Sequence, residues 1–377
     1  VRLLKSALVR KLGAAAIALV VTFLAIELIL RATHLFGARL SWTMPDPLIS
    51  WRMVPGAAYW YYEENDHPIT GRINRHGWRD RERQPEKPED ARRVAVLGDS
   101  FVEAMQVEQE KTFLSLAEER LGGEFPFGVE VMNFGRSGAT TTEELLILEN
   151  DVLDFSPDMV VLFFMPRTDI EDVSRETAPE TLRPFYTAGE EGELRLDPGF
   201  RETGAYRLKG FVSALTRNSA LASLLVERRR KRLMENVAKR YEEEEESLGG
   251  FLTLCTASPD EAYAANYALN KRLIGEMARL CGERGCGFLL VCMETLAYEP
   301  ESEERYRSID PSFDGDFFDK DLGDLAAVLG VDYIGLQGVF RDDFLERGKA
   351  LRWIHWNYDG HGVVADALAG KLGTLLK

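Results

Sequence analysis

Met159-Val160-Val161-Leu162-Phe163-Phe164 has no polar residue to turn towards water. A strand made of it must be covered on both faces, and strands of that kind belong to parallel sheets sandwiched between helices. Val94-Ala95-Val96-Leu97, Val129-Glu130-Val131-Met132-Asn133 and Gly287-Phe288-Leu289-Leu290-Val291-Cys292 carry similar signals, and residues 331–334 add a shorter one. Helical patterns fall between and after them, at 112–121, 142–153, 262–281, 321–328 and 363–376. Strands alternating with helices imply a parallel sheet with right-handed crossovers. Five strands in the spatial order 2-1-3-4-5 make a three-layer, flavodoxin-like α/β fold.

The 377 residues are 45% hydrophobic, enough for one large domain with an appendage. A net charge of −16 argues against a nucleic-acid partner, which needs clustered Lys and Arg. The four cysteines, at 255, 281, 286 and 292, match no zinc spacing. Free buried thiols are the expectation; in an exported domain a disulfide involving Cys255, Cys281 or Cys286 is the alternative. No metal and no cofactor is expected.

Residues 12–30 are apolar apart from Thr22 and Glu27. A helix of about 20 such residues crosses a bilayer. Arg2, Lys5, Arg10 and Lys11 precede the run, while only Arg31 and Arg39 follow closely. The basic flank stays cytoplasmic, which puts the remainder on the periplasmic or cell-surface side. Residues 30–35 offer no small-x-small cleavage site, so an uncleaved anchor is preferred to a signal peptide. Glu27, near the outer end, is expected to reach the headgroups. The chain thus divides into a cytoplasmic end (1–11), an anchor (12–31), a lead-in and linker (32–90) and the main domain (91–377). Within that domain the sheet pattern is lost over about 170–260, read as a helical insertion. Residues 208–225 and 227–248 look helical there. Arg228-Arg229-Arg230-Lys231-Arg232 is followed by the acidic run 242–246. A solvated hairpin, a lid, or an arm for envelope protein partners all fit it.

Gly98-Asp99-Ser100 breaks the first strand. A serine at the C-terminal end of a central strand sits where open α/β sheets place their chemistry. Alone, the tripeptide does no more than cap a turn. Three further stretches add to it: Asn133-Phe134-Gly135-Arg136-Ser137-Gly138, the lead-in Ile73-Asn74-Arg75-His76-Gly77-Trp78-Arg79-Asp80, and Trp353-Ile354-His355-Trp356-Asn357-Tyr358-Asp359-Gly360-His361. Together with Phe101-Val102-Glu103, Gln106-Val107 and Lys111-Thr112-Phe113 they resemble the SGNH (GDSL-type) hydrolases, nearest to the membrane-anchored bacterial branch. The resemblance runs from about Asp46 to the C-terminus with an unfamiliar middle.

The resemblance implies that Ser100 is the nucleophile and His355 the general base. The N–H groups of Ser100 and Gly138 would serve the oxyanion. His361 and Asn357 would open the last helix as structural residue and cap, and the lead-in would be a short strand or turn against the domain. Two positions depart from the family. Thr168 stands where an oxyanion-binding asparagine belongs, with a shorter reach. Arg352 and Trp353 stand where an aspartate usually precedes the histidine, and a positive Arg352 opposes protonation of the base. Asp359 is the nearest substitute acid in sequence, a backbone carbonyl another. A second registration takes Asp359 and His361 as acid and base but abandons the match at His355.

Two functions follow. The first is a membrane-anchored serine esterase or O-acyltransferase, with an acyl-enzyme on Ser100 and an ester substrate such as an O-acetyl group on an envelope glycan. The second is a catalytically weak or silent relative that binds a glycan or helps assemble envelope proteins. Trp51, Trp60, Tyr61 and Trp356 suit sugar stacking, though packing explains such residues more simply.

Overall fold

The computed structural model of the chain describes residues 2–37, 39–125, 128–189 and 193–377. Five strands form one parallel sheet: β1 (Arg92–Gly98), β2 (Val129–Gly135), β3 (Met159–Phe164), β4 (Gly287–Cys292) and β5 (Asp332–Gly335). Their order is β5-β4-β3-β1-β2, the 2-1-3-4-5 arrangement expected from the sequence. Leu97 pairs with Phe134 on one side and Leu162 on the other. This register ends β1, β2 and β3 near one level, so the loops that follow them share one edge of the sheet.

Alternation along the strands splits the core in two. Ala95, Leu97, Val160 and Leu162 face the helix Glu261–Glu283, while Val94, Val96, Val161 and Phe163 face the helices Phe113–Glu124 and Tyr358–Leu375. Covered on both faces, β3 needs no polar residue. All four cysteines are buried free thiols.

The first helix, α1 (Arg2–Thr33), carries an apolar stretch over Val9–Thr33 that is long enough to cross a membrane. The insertion holds a hairpin, Phe185–Ala188 with Leu194–Asp197, and two helices, α2 (Gly204–Asn218) and α3 (Ala220–Ser247). The break between them falls at Ser219, not near 226 as the residue pattern suggested. Its cause is tertiary: Glu27 of α1 accepts the N–H groups of Ala220 and Leu221 and starts α3 there. Glu27 thus finds its partners within the protein, among them Arg31 and the start of α3.

The lead-in at residues 73–80 is a turn against the domain, as expected, and the segment before it is more structured. It forms two antiparallel hairpins, Thr43–Asp46 with Ser50–Met53 and Ala58–Tyr61 with Ile69–Arg72. Behind them Asn74 Oδ1 accepts the N–H groups of His76 and Trp78, both at 3.0 Å, and closes a turn. That turn sends Arg79, 1% exposed, inward. Its guanidinium donates to the carbonyls of Glu103 (3.0 Å), Ala104 (2.7 Å) and Val107 (2.5 Å) and to Tyr59 Oη (3.0 Å). Ala104 has φ +55°, a left-handed backbone costly for a residue with a Cβ. Arg79 holds it in place. Arg79→Met is expected to leave the Glu103 and Val107 carbonyls unpaired, with that of Ala104 keeping only the Val107 N–H at 3.5 Å, and to lower unfolding free energy by about 3 kcal/mol, read from denaturant melts.

Candidate active site

Ser100 opens a one-turn helix, Ser100–Glu103, directly after β1. Asp99 caps it by accepting the Phe101 N–H at 2.9 Å. Gly135, at the end of β2, passes so close to this turn that a Cβ there would collide with the backbone of Val102 and Glu103.

The Ser100 hydroxyl lies 2.7 Å from His355 Nε2. His355 Nδ1 lies 2.7 Å from Glu64 Oε1, and the His355 backbone N–H donates to Glu64 Oε2 at 2.8 Å. One carboxylate thus fixes both the ring and the backbone of the histidine. Phe101 backs the ring at 4.7 Å between centroids.

Glu64 belongs to the loop between the lead-in strands Ala58–Tyr61 and Ile69–Arg72. Its side chain is only 2% exposed, and Tyr61 donates its O–H to Oε1 at 2.7 Å. Asn65 Nδ2 donates to the Gln106 carbonyl and to Tyr358 Oη, and Tyr358 donates to Glu108. The loop is fastened to both the nucleophile side and the histidine side of the cleft.

Burial works against charge on both partners, and the pairing wins on both. The His355 pKa is raised: burial pulls it down, but the hydrogen bond to Glu64 and the charges of Glu64 and Asp99 outweigh burial and the opposing Arg352. The Glu64 pKa is lowered: burial pushes it up, and the contacts to His355 and Tyr61 outweigh that.

Gly138 lies in the loop after β2, with φ +66°. A Cβ there would meet nothing within 4 Å, so the left-handed backbone, not close approach within the chain, calls for glycine. Glu103 anchors this loop by accepting the N–H and O–H of Ser137, and Arg183 donates to the Gly138 carbonyl at 2.7 Å. Burial pushes the Glu103 pKa up to about 7, against the pull of Ser137, Arg79 and Arg136. The N–H groups of Ser100 and Gly138 find no acceptor among the described residues.

Two sequence expectations need correction. Asp359 is not on the histidine: it sits in the first turn of Tyr358–Leu375, with Oδ1 3.5 Å from Arg347 Nη1. Thr168 is the second: its hydroxyl donates to Asp99 Oδ2 at 3.1 Å, so its one hydrogen is already committed. Thr168→Val is accordingly expected to slow ester turnover less than tenfold, where loss of an oxyanion donor costs about a hundred- to thousandfold. Steady-state kinetics on an activated acetyl ester separate the two. His361 is the structural residue expected, and the second registration falls with it: it is fully buried, its Nδ1 accepts the Phe113 N–H at 3.2 Å, and burial lowers its pKa to about 3.

Asn357 caps the last helix as expected, accepting from Gly360 N–H at 3.0 Å. Trp356 is fully buried, donates to Glu294 and packs on Phe101, so it is no sugar platform. Tyr61 holds Glu64, Trp51 lies under Arg136, and Trp60 meets His34 edge-on. Among the described residues no group of His, Cys, Asp and Glu is placed to hold a metal ion.

Comparison with known proteins finds no matching family model and no matching curated protein. Solved structures do match in part. An acetyl xylan esterase, AlAXEase, is 16% identical over 74% of this chain and 99% of its own, with a TM-score of 0.43. A catalytic mutant of an acetylxylan esterase from Geobacillus stearothermophilus is 13% identical over 75% and 94%, with a TM-score of 0.40. TesA is 14% identical over 75% and 99%, with a TM-score of 0.38. Likeness at this level says nothing of this chain's chemistry.

Proposed function

We propose that the chain is a membrane-anchored serine hydrolase or O-acyltransferase of the SGNH type, acting on ester bonds. The observation that carries this reading is the unbroken line of hydrogen-bonding contacts Ser100–His355–Glu64, each at 2.7 Å. His355 Nε2 takes the Ser100 proton as Oγ attacks the ester carbonyl. Glu64 keeps the ring in the tautomer with a proton on Nδ1 and stabilises the imidazolium that forms. The carbonyl oxygen becomes an oxyanion, and the free N–H groups of Ser100 and Gly138 are its donors. His355 returns the proton to the leaving alcohol, and an acyl group remains on Ser100. Water or an acceptor alcohol then repeats the sequence in reverse.

The alternative, a silent binding protein, does not require a serine, a base and a carboxylate in line. Their alignment favours catalysis even without the family's asparagine and aspartate. For substrate, the sequence resemblance favours an O-acyl group, acetyl above all, on an envelope or exported glycan. For placement, the apolar stretch of α1 and its basic flank favour an anchor with the main domain outside the cytoplasm. Intact-mass spectrometry of the full chain in detergent tests the catalytic reading. One fluorophosphonate adduct per chain is expected on wild type; a folded wild type that takes none overturns the reading.

A further inference from the structure

Helix α2 has its polarity reversed. Its inner side meets the lead-in hairpin through polar contacts: Lys209 Nζ donates to Ser50 Oγ at 3.2 Å, Ser213 to the Thr43 carbonyl at 3.3 Å, and Ser41 N–H to the Thr216 carbonyl at 3.1 Å. Its outer side presents Leu208, Phe211 and Leu215, spaced by three and four residues and 61%, 63% and 46% exposed. A helix facing water on that side would show the opposite pattern. An outward apolar face of this kind marks a surface that something covers.

The neighbour of this helix is α1. Arg31 of α1 donates to Glu27 at 2.6 Å and to the Asn218 carbonyl, the end of α2, at 2.5 Å. Glu27 also accepts from Ser219 O–H at 2.9 Å, Ala220 N–H at 2.7 Å and Leu221 N–H at 3.2 Å. It is the N-terminal cap of α3, supplied from another helix. Leu30 packs on Ala220. The turn between α2 and α3 therefore starts level with Glu27, inside the apolar stretch Val9–Thr33. From there α3 begins Ala220-Leu221-Ala222-Ser223-Leu224-Leu225-Val226, with Leu225 61% exposed. Arg228-Arg229-Arg230-Lys231-Arg232 begins about 12 Å further along, at 1.5 Å per residue. Such a basic run, in a chain of net charge −16, complements anionic headgroups.

We infer that α2 and the start of α3 are seated in the outer leaflet of an anionic bilayer. Leu208, Phe211, Leu215 and Leu225 lie among the acyl chains beside α1, and the basic run of α3 meets phospholipid phosphates. This rests on the proposed reading that α1 crosses the bilayer. It gives Glu27 a reason to be in the span: partnered by the cap of α3, it clamps the hairpin to the anchor. The hairpin also grips the lead-in, which carries Glu64, so membrane seating fixes the height and tilt of the candidate active site above the lipid.

The full chain in nanodiscs of phosphatidylcholine and phosphatidylglycerol provides the test. All four native thiols are buried, so a nitroxide reagent marks only an introduced cysteine. The label at Phe211→Cys is expected to be reached by oxygen and shielded from a water-soluble nickel chelate. The label at Glu202→Cys, on the exposed turn before α2, should show the reverse. Shielding at Phe211→Cys should weaken in discs of phosphatidylcholine alone; equal shielding in both removes the headgroup contact from the inference. A Phe211→Cys label open to nickel, in a chain that resists alkaline carbonate extraction, overturns the seating and leaves the anchor standing. If the label is open in discs but shielded in native membranes, a protein covers the face and the lipid inference fails. A chain released by carbonate overturns the anchor and the seating together.

Discussion

Ser100→Ala is expected to abolish fluorophosphonate labelling and to lower kcat for an activated acetyl ester by about a millionfold. His355→Ala should fall nearly as far. The double variant should fall no further, because a nucleophile without its base, or a base without its nucleophile, already loses the step they perform together. The geometry leads to this result: among the described residues the Ser100 hydroxyl has one hydrogen-bonding partner, His355 Nε2 at 2.7 Å. Removing it unpairs no buried backbone group, so thermal melts of Ser100→Ala should stay within about 0.5 kcal/mol of wild type. Single-turnover kinetics on protein of matched folded fraction provide the check. If the two losses multiply in the double variant, Ser100 and His355 act independently, and the acyl-enzyme mechanism is wrong.

The sheet was legible because burial on both faces leaves a local trace. Met159–Phe164 and Gly287–Cys292 are strands over the residues their apolar runs define. Ser100 and His355 could be singled out for a similar reason, each embedded in a dense local pattern, and the structure brings them within 2.7 Å of each other. Glu64 was not. It lies in a polar loop beside Glu63 and Asp66, 291 positions from His355, and nothing nearby distinguishes it. Its role comes from a hairpin folding over the cleft, and Tyr61 and Asn65 hold it there through contacts no spacing encodes. The break at Ser219 was missed for the same physical reason. A cap supplied by Glu27 leaves no signal in the sequence around the helix it starts.

Glu64→Gln carries the second large effect, and it separates an acid of the triad from a merely structural carboxylate. The amide is nearly isosteric: its oxygen, in the place of Oε2, still accepts the His355 backbone N–H, while its nitrogen stands in the place of Oε1, where the Tyr61 hydroxyl must turn to accept. Towards Nδ1, however, it offers an N–H where the carboxylate offered a lone pair. The ring is then driven to the tautomer protonated on Nε2, which cannot take the Ser100 proton. A loss of about three to four orders of magnitude in kcat is expected. Asp359→Asn, whose carboxylate meets Arg347 instead, should leave kcat unchanged. The pH profile gives a second, independent reading. The base works neutral, so activity rises as pH passes the His355 pKa, and Glu64 raises that pKa in the wild type. The acid limb of kcat/KM for Glu64→Gln should move to lower pH. Stability changes in a definite window as well. The raised His355 pKa contributes stability below its unfolded value of 6.5 and loses it as pH rises through the folded value. The lowered Glu64 pKa contributes stability above its unfolded value of 4.5 and loses it as pH falls through the folded value. The two contributions overlap fully between 4.5 and 6.5. The Tm gap between wild type and Glu64→Gln should therefore be widest there and shrink on either side. A gap that does not vary with pH, beside an unmoved acid limb, would show that no His355–Glu64 ion pair forms, and Glu64 would then have no claim to the role of the acid.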